Sequence, residues 1–131
     1  DLVIRMKDYA YRLREELDFS YRFEEQGDVE SGKVSQVVRQ NLFLIFKEAF
    51  TNAIKYSDGS EIIITLEVGG TIRLVIANRY AENPVAVADR QGGRGLENME
   101  QRAAKVGGTL SVTDEKGLFR VVFELLPKRG I

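Results

Sequence analysis

The chain contains no cysteine and no histidine. Without cysteine there is no disulfide, no thiol nucleophile and no thiolate metal site. Without histidine there is no Ser-His-Asp machinery and no imidazole-bound zinc. Charge is almost balanced: 19 basic and 20 acidic side chains leave a net charge of −1. No global basic field therefore prompts nucleic acid as a partner. No apolar run approaches the length of a membrane span, and no signal-peptide pattern opens the chain, so no membrane contact is expected. What is present is ordinary for a globular domain: 131 residues, 44% hydrophobic and 30% charged. That is enough for one domain with a real core. The chain starts inside a helical pattern with neither a cap nor an initiator Met, which suggests a piece of something longer.

The most informative stretch is Glu48-Ala-Phe-Thr-Asn52-Ala-Ile-Lys55-Tyr56-Ser57. At about 100° per residue, Glu48, Asn52, Lys55 and Tyr56 fall along one edge of a helix. Leu42, Ile45, Phe46, Ala49, Phe50, Ala53 and Ile54 hold a different arc, which faces a core. A carboxylate can take a proton, an amide oxygen can ligate Mg²⁺, and a lysine can meet phosphate. A solvated polar face on an ordinary amphipathic helix would give the same short match, so this pattern does not decide alone.

The rest of the chain supplies the setting. Leu2, Val3, Met6, Tyr9, Leu13 and Leu17 have helical spacing over residues 1 to 17. Phe19, Tyr21 and Phe23 alternate as in a short strand, and residues 24 to 33 read as a loop. The long helix spans 35 to 56 and ends at Asp58-Gly59. Ile62 to Val68, Gly69-Gly70 and Ile72 to Ile76 form a β-hairpin. Residues 79 to 93 have no period and read as a loop that orders on binding phosphate. Leu96, Met99, Ala103 and Val106 mark a short helix stopped by Gly107-Gly108. Leu110 and Val112, a turn around Asp114 to Gly117, and Phe119 to Leu125 form a last hairpin, closed by Pro127. This order predicts an α+β fold, an α/β two-layer sandwich with one mixed sheet covered on one face by helices.

Gly92, Gly93 and Gly95 sit where the loop becomes the short helix. Glycines let backbone amides converge, and a helix start adds a positive dipole end. Arg90 and Arg94 add positive charge, and all of these favour an anion such as phosphate. It is neither a Walker loop nor a Rossmann fingerprint, and the protein-kinase signatures are absent. By itself the loop would equally serve as a flexible entry to the helix.

The joint order is more specific than its parts. Lys47-Glu48-Ala49-Phe50-Thr51-Asn52-Ala53-Ile54-Lys55-Tyr56-Ser57 resembles the N box of sensor histidine kinases. Gly93-Arg94-Gly95-Leu96-Glu97-Asn98-Met99-Glu100-Gln101-Arg102-Ala103 resembles their second glycine box, in the form found where a separate phenylalanine box is lacking. The resemblance covers about residues 18 to 127 and extends to the superfamily shared with gyrase B and MutL. It implies a Bergerat-type ATP-binding fold with ATP and Mg²⁺ as cofactors. It implies a connecting helix over 1–17 from a dimerisation and phosphoacceptor domain, and a catalytic domain over 18–131. Glu48 would act as general base or orient the acceptor, and Asn52 would ligate Mg²⁺. Lys55 and Tyr56 would lie near the phosphates, with Arg90, Gly92, Gly93, Arg94, Gly95 and Leu96 in the loop that covers them. Ile76 would help wall the adenine pocket. The implied partners are the protein's own phosphoacceptor domain and a response regulator. The implied setting is the cytoplasm, within a homodimeric and membrane-anchored or soluble whole.

Three positions depart from the family pattern. Asn78 stands where an Asp usually meets the adenine amino group; its amide still offers an acceptor and a donor. Tyr56 stands where a His is usual. Leu118 and Phe119 follow Gly117 where a Thr would bring a hydroxyl to the phosphates. These departures keep open a degenerate domain that binds nucleotide or only a partner. A serine kinase of the anti-sigma type, with the same fold, is a further alternative.

Overall fold

The computed structural model of the chain describes residues 2–27, 34–85 and 94–126. The element order is α1 (Leu2–Glu16), β1 (Tyr21–Gln26), α2 (Gln36–Tyr56), β2 (Ile62–Val68), β3 (Ile72–Arg79), α3 (Gly95–Lys105), β4 (Thr109–Glu115) and β5 (Leu118–Leu125). The strands form one sheet in the order β1-β2-β3-β5-β4. β1 runs parallel to β2, and the other pairs are antiparallel. The sheet is therefore mixed, as the alternating patterns predict. Parallel neighbours need a long crossover, and α2 lies within it.

β1 reaches further than its sequence suggests. Glu24, Glu25 and Gln26 read as loop but pair with Thr65, Leu66 and Glu67 of β2. Backbone pairing along an edge carries these polar residues, whose side chains stay exposed. The remainder of that expected loop, 28 to 33, and Pro127 lie outside the described residues.

The start of α2 follows from its sequence. Ser35 Oγ accepts from the Val38 N–H at 3.2 Å, which satisfies one of the orphan amides of the first turn. Leu42, Ile45, Phe46, Ala49, Phe50 and Ala53 are then buried at three- and four-residue steps. They pack on Ile62, Ile64 and Leu66 of β2, Leu74 and Ile76 of β3, and Val121 and Phe123 of β5 in one core. Phe46 and Phe50 stack at 5.4 Å, and Phe19 and Tyr21 meet Phe50 edge-on at 5.6 and 5.9 Å. Phe19 precedes β1 rather than opening it, so its role is packing against α2 rather than pairing in the sheet. α1 belongs to the same core through Leu2, Met6 and Ala10. Tyr9 adds edge contacts to Phe43 and Phe46, both at 6.2 Å.

The last hairpin turns more tightly than its sequence suggests. Asp114 and Glu115 belong to β4, and only Lys116 and Gly117 form the turn. Both have positive φ, 52° and 82°. Two such residues make the type I′ geometry whose twist matches the flanking strands. This register brings Asp114 opposite Phe119 and Phe119 beside Asn78.

Candidate active site

A cavity of about 510 Å³ opens between the polar edge of α2, the end of the sheet and the start of α3. That size is within the usual range for small-molecule sites. Glu48, Asn52, Lys55 and Tyr56 line it from α2. Ile76 and Asn78 line it from β3, and Arg94, Gly95 and Leu96 from the entry to α3. Every described residue singled out from the sequence thus borders one space. Arg90, Gly92 and Gly93 lie outside the described residues, as does most of the expected phosphate-ordered loop.

The tightest junction joins Gly95 to the N-box side chains. A Cβ added to Gly95 would stand 2.5 Å from Glu48 Oε1 and 3.1 Å from Asn52 Nδ2. Only glycine lets the helix start approach the acid and the amide this closely. Arg94, at the cap position of α3, makes no side-chain cap hydrogen bond. Its guanidinium instead meets Glu97 Oε2 at 3.3 Å. The first amides of α3 belong to a helix start beside the cavity, where the dipole favours an anion.

The apolar part of the wall comes from three places. Ile76 is buried in the sheet. Phe119 and Val121 of β5 pair with Asn78 and Ile76 and border the same cavity. Pro84 and Val85 add a further side, with Met99 from α3. Phe119 is therefore a wall residue, where the sequence shows only the loss of a hydroxyl. Its alternation with Val121 and Phe123 signals a shared face, but the β3–β5 register that sets it beside Asn78 is not a local feature. Asn78 is 2% exposed, and its Nδ2 donates to the Arg79 carbonyl at 3.3 Å. Its amide oxygen remains an acceptor suited to an amino group.

The first residues after β3 are fastened rather than free. Ser57 and Tyr80 form an isolated antiparallel bridge, and the Tyr80 N–H donates to the Gly117 carbonyl at 3.2 Å. The Tyr80 hydroxyl donates to the Asp114 carboxylate at 2.6 Å, and Asn83 Nδ2 donates to Asp114 Oδ2 at 2.6 Å. The bond to Asp114 holds the Tyr80 phenol above its ordinary pKa. Asn83 Oδ1 in turn accepts from the Val85 N–H at 2.9 Å. The β4 carboxylate thus anchors the segment that places Pro84 and Val85 against the cavity.

Among the described residues there is no group of three or more acidic side chains that could hold a metal alone. Mg²⁺ does not require one, because it keeps waters and takes phosphate oxygens. The donor set here fits that habit: one amide, Asn52, beside one carboxylate, Glu48, on the phosphate-suited side of the cavity.

The family profile of the histidine kinase-, DNA gyrase B- and HSP90-like ATPases matches residues 37–129, and the chain belongs to this family. Sensor histidine kinase YvfT of Bacillus subtilis (strain 168) is 29% identical over 96 residues, covering 72% of this chain. The chain spans 25% of the length of that relative. The nucleotide-free catalytic domain of histidine kinase ThkA superposes with a TM-score of 0.71 at 15% identity, over 97% of this chain and 93% of that one. Full-length ShkA in complex with AMPPNP gives 0.69 at 18% identity, over 94% of this chain and 28% of that one. The family is therefore that of the histidine kinase-, DNA gyrase B- and HSP90-like ATPases, and the fold is the one seen in histidine kinase catalytic domains. No described helix is long and apolar enough to cross a membrane.

Proposed function

We propose that the domain binds Mg²⁺-ATP in the 510 Å³ cavity and passes the γ-phosphoryl group to a histidine outside this sequence. The observation that carries the reading is the meeting of Glu48, Asn52 and Gly95 at the mouth of α3. The chain has no histidine, so the acceptor comes from another segment. Asn52 would hold Mg²⁺, which neutralises charge on the phosphate oxygens when bound. Glu48 orients or deprotonates the acceptor. Gly95 and the following amides face the phosphates, and Lys55 and Arg94 supply positive charge. Ile76, Phe119, Val121 and Val85 would offer the adenine an apolar wall, and Asn78 an acceptor for its amino group.

On this reading residues 1–17 connect the domain to a dimerisation and phosphoacceptor region, and 18–131 form the catalytic unit. The whole protein acts as a homodimer, in the cytoplasm or on its face of a membrane, and hands the phosphoryl group to a response regulator. The described α1 helix shares the core with α2 through Met6 and Ala10.

Calorimetric titration of the chain tests the nucleotide step. Mg²⁺-ATP is expected to saturate it below about 1 mM, a modest affinity of roughly −4 kcal/mol or better. No heat and no thermal shift at that concentration would sink the reading. Incubated with γ-labelled ATP, the isolated chain should remain without acid-labile label. Acid-stable label would instead point to a serine kinase.

The same titration tests the anchor at Asp114. Asp114→Ala removes the acceptor shared by Tyr80 and Asn83. The Pro84–Val85 wall is then held less firmly, and nucleotide affinity should fall roughly three- to tenfold, the scale of one charge-assisted hydrogen bond that is partly solvated. Unchanged affinity would mean that the wall holds its place without Asp114.

A further inference from the structure

The sheet lends the cavity four side chains, and three of them are apolar. Ile76 of β3 and Phe119 and Val121 of β5 are the apolar ones, and Asn78 of β3 is the fourth. The other polar lining residues, Glu48, Asn52, Lys55, Tyr56, Arg94 and Glu97, come from α2 and the start of α3. On the reading above that side meets the phosphates, and the base lies on the sheet side. Asn78 is then the only polar side chain of the described sheet that borders the base.

We infer that Asn78 makes this a site for guanine as well as adenine nucleotides. The inference rests on the nucleotide-binding reading above and widens its substrate class. The two bases present opposite patterns on the edge that a protein reads by hydrogen bonding. Adenine offers an amino donor at C6 and an acceptor at N1. Guanine offers an acceptor at O6 and a donor at N1. A side-chain amide carries an acceptor oxygen and a two-hydrogen donor side by side. It pairs with the adenine edge in one orientation, and with the guanine edge once Oδ1 and Nδ2 change places. A carboxylate only accepts, so it has no pairing for O6.

What holds the amide decides whether it can turn. Its cross-strand partner is Phe119, an apolar ring. Leu118, the next residue of β5, pairs with Arg79 and brings no hydroxyl either. Among the described residues Asn78 makes one side-chain hydrogen bond, from Nδ2 to the Arg79 carbonyl at 3.3 Å. That is longer than the usual N–H···O distance, so the amide is held weakly. Half a turn about its terminal torsion exchanges oxygen and nitrogen within nearly the same volume. The turn breaks the one bond and sets Oδ1 toward the Arg79 carbonyl. Adenine is therefore preferred, but by no more than about tenfold, the scale of one net neutral hydrogen bond. Ile76, Phe119 and Val121 offer either purine the same apolar surface.

Calorimetric titration of the chain with Mg²⁺-ATP and with Mg²⁺-GTP tests this. The two dissociation constants should lie within about tenfold of each other. Asn78→Asp keeps the shape and removes the donor, and at 2% exposure water does not replace the lost partner. The variant should therefore prefer ATP over GTP at least about tenfold more strongly than the parent does. Mg²⁺-triphosphate, which has no base to bury, should bind at least about tenfold more weakly than either nucleotide. GTP binding to the parent more than about tenfold weaker than ATP overturns the inference and leaves the nucleotide reading standing. Triphosphate that binds as tightly as the nucleotides also overturns it, because the base is then unread. So does an unchanged ratio of ATP to GTP affinity in a folded Asn78→Asp chain. Should the buried carboxylate unfold that variant, the parent's ratio and the triphosphate titration still decide. A parent that binds no Mg²⁺-ATP overturns the nucleotide-binding reading itself, and this inference with it.

Discussion

Glu48→Gln is expected to lower phosphotransfer in the intact protein by about 10²- to 10⁴-fold, the usual contribution of a positioned acid–base group. That corresponds to roughly 3–5 kcal/mol of barrier. Gln has nearly the same shape, so its side chain still packs against the backbone of Gly95, where Glu48 Oε1 now lies. What disappears is the charge and the ability to take a proton. Nucleotide affinity should change little if, as proposed, α3 amides, Asn52 and the basic side chains hold the phosphates. Single-turnover labelling measures the rate, and calorimetric titration measures binding. Equal rates for variant and parent would remove Glu48 from the reaction. A parallel loss of binding would instead give it a role in holding the nucleotide.

Gly95→Ala should cost on the order of 10²-fold in transfer rate while leaving the fold intact. The added methyl would stand 2.5 Å from Glu48 Oε1 and 3.1 Å from Asn52 Nδ2. Both atoms end flexible side chains, so they yield rather than the backbone. Gly95 opens α3 without a left-handed backbone, so alanine fits its main chain. Stability should therefore hold, while the acid and the amide are pushed aside. Misplacement of a positioned group by about 1 Å is enough to cost two orders of magnitude. Thermal unfolding and single-turnover labelling of the same variant separate the two effects. A full rate in Gly95→Ala would mean that Glu48 and Asn52 need not stay in their present places. A large loss of stability would mean that the close approach is a packing contact first.

Much of this site is legible in the amino-acid sequence alone. The three- and four-residue steps from Leu42 to Ala53 define which arc of α2 is buried. The edge beside that arc then carries Glu48, Asn52 and Tyr56. Alternation in 62–76 and 119–125 marks hairpin strands. Glycines before Leu96 mark a helix entry suited to an anion. Each of these is a local pattern, set by the period of the backbone and by the chemistry of neighbouring residues. The resemblance to sensor histidine kinases rests on the same local strings, and the family match over 37–129 agrees with it.

Other features depend on which distant segments meet. Phe119 reads as a departure in the sequence and becomes a cavity wall because β5 lies against β3 in the register Asn78↔Phe119. Asp114 reads as a turn residue and becomes the acceptor for Tyr80, 34 positions away. The Gly95–Glu48 contact spans separate helices. The sequence by itself determined the elements, their apolar faces and the side chains that carry chemistry. Only tertiary structure decided which strand lies next to which and how close α3 comes to α2. The reason is physical: periodicity acts within a few residues, whereas strand order and helix approach come from packing whole faces together. That packing adds many weak contacts between remote segments, and no single stretch of sequence encodes them.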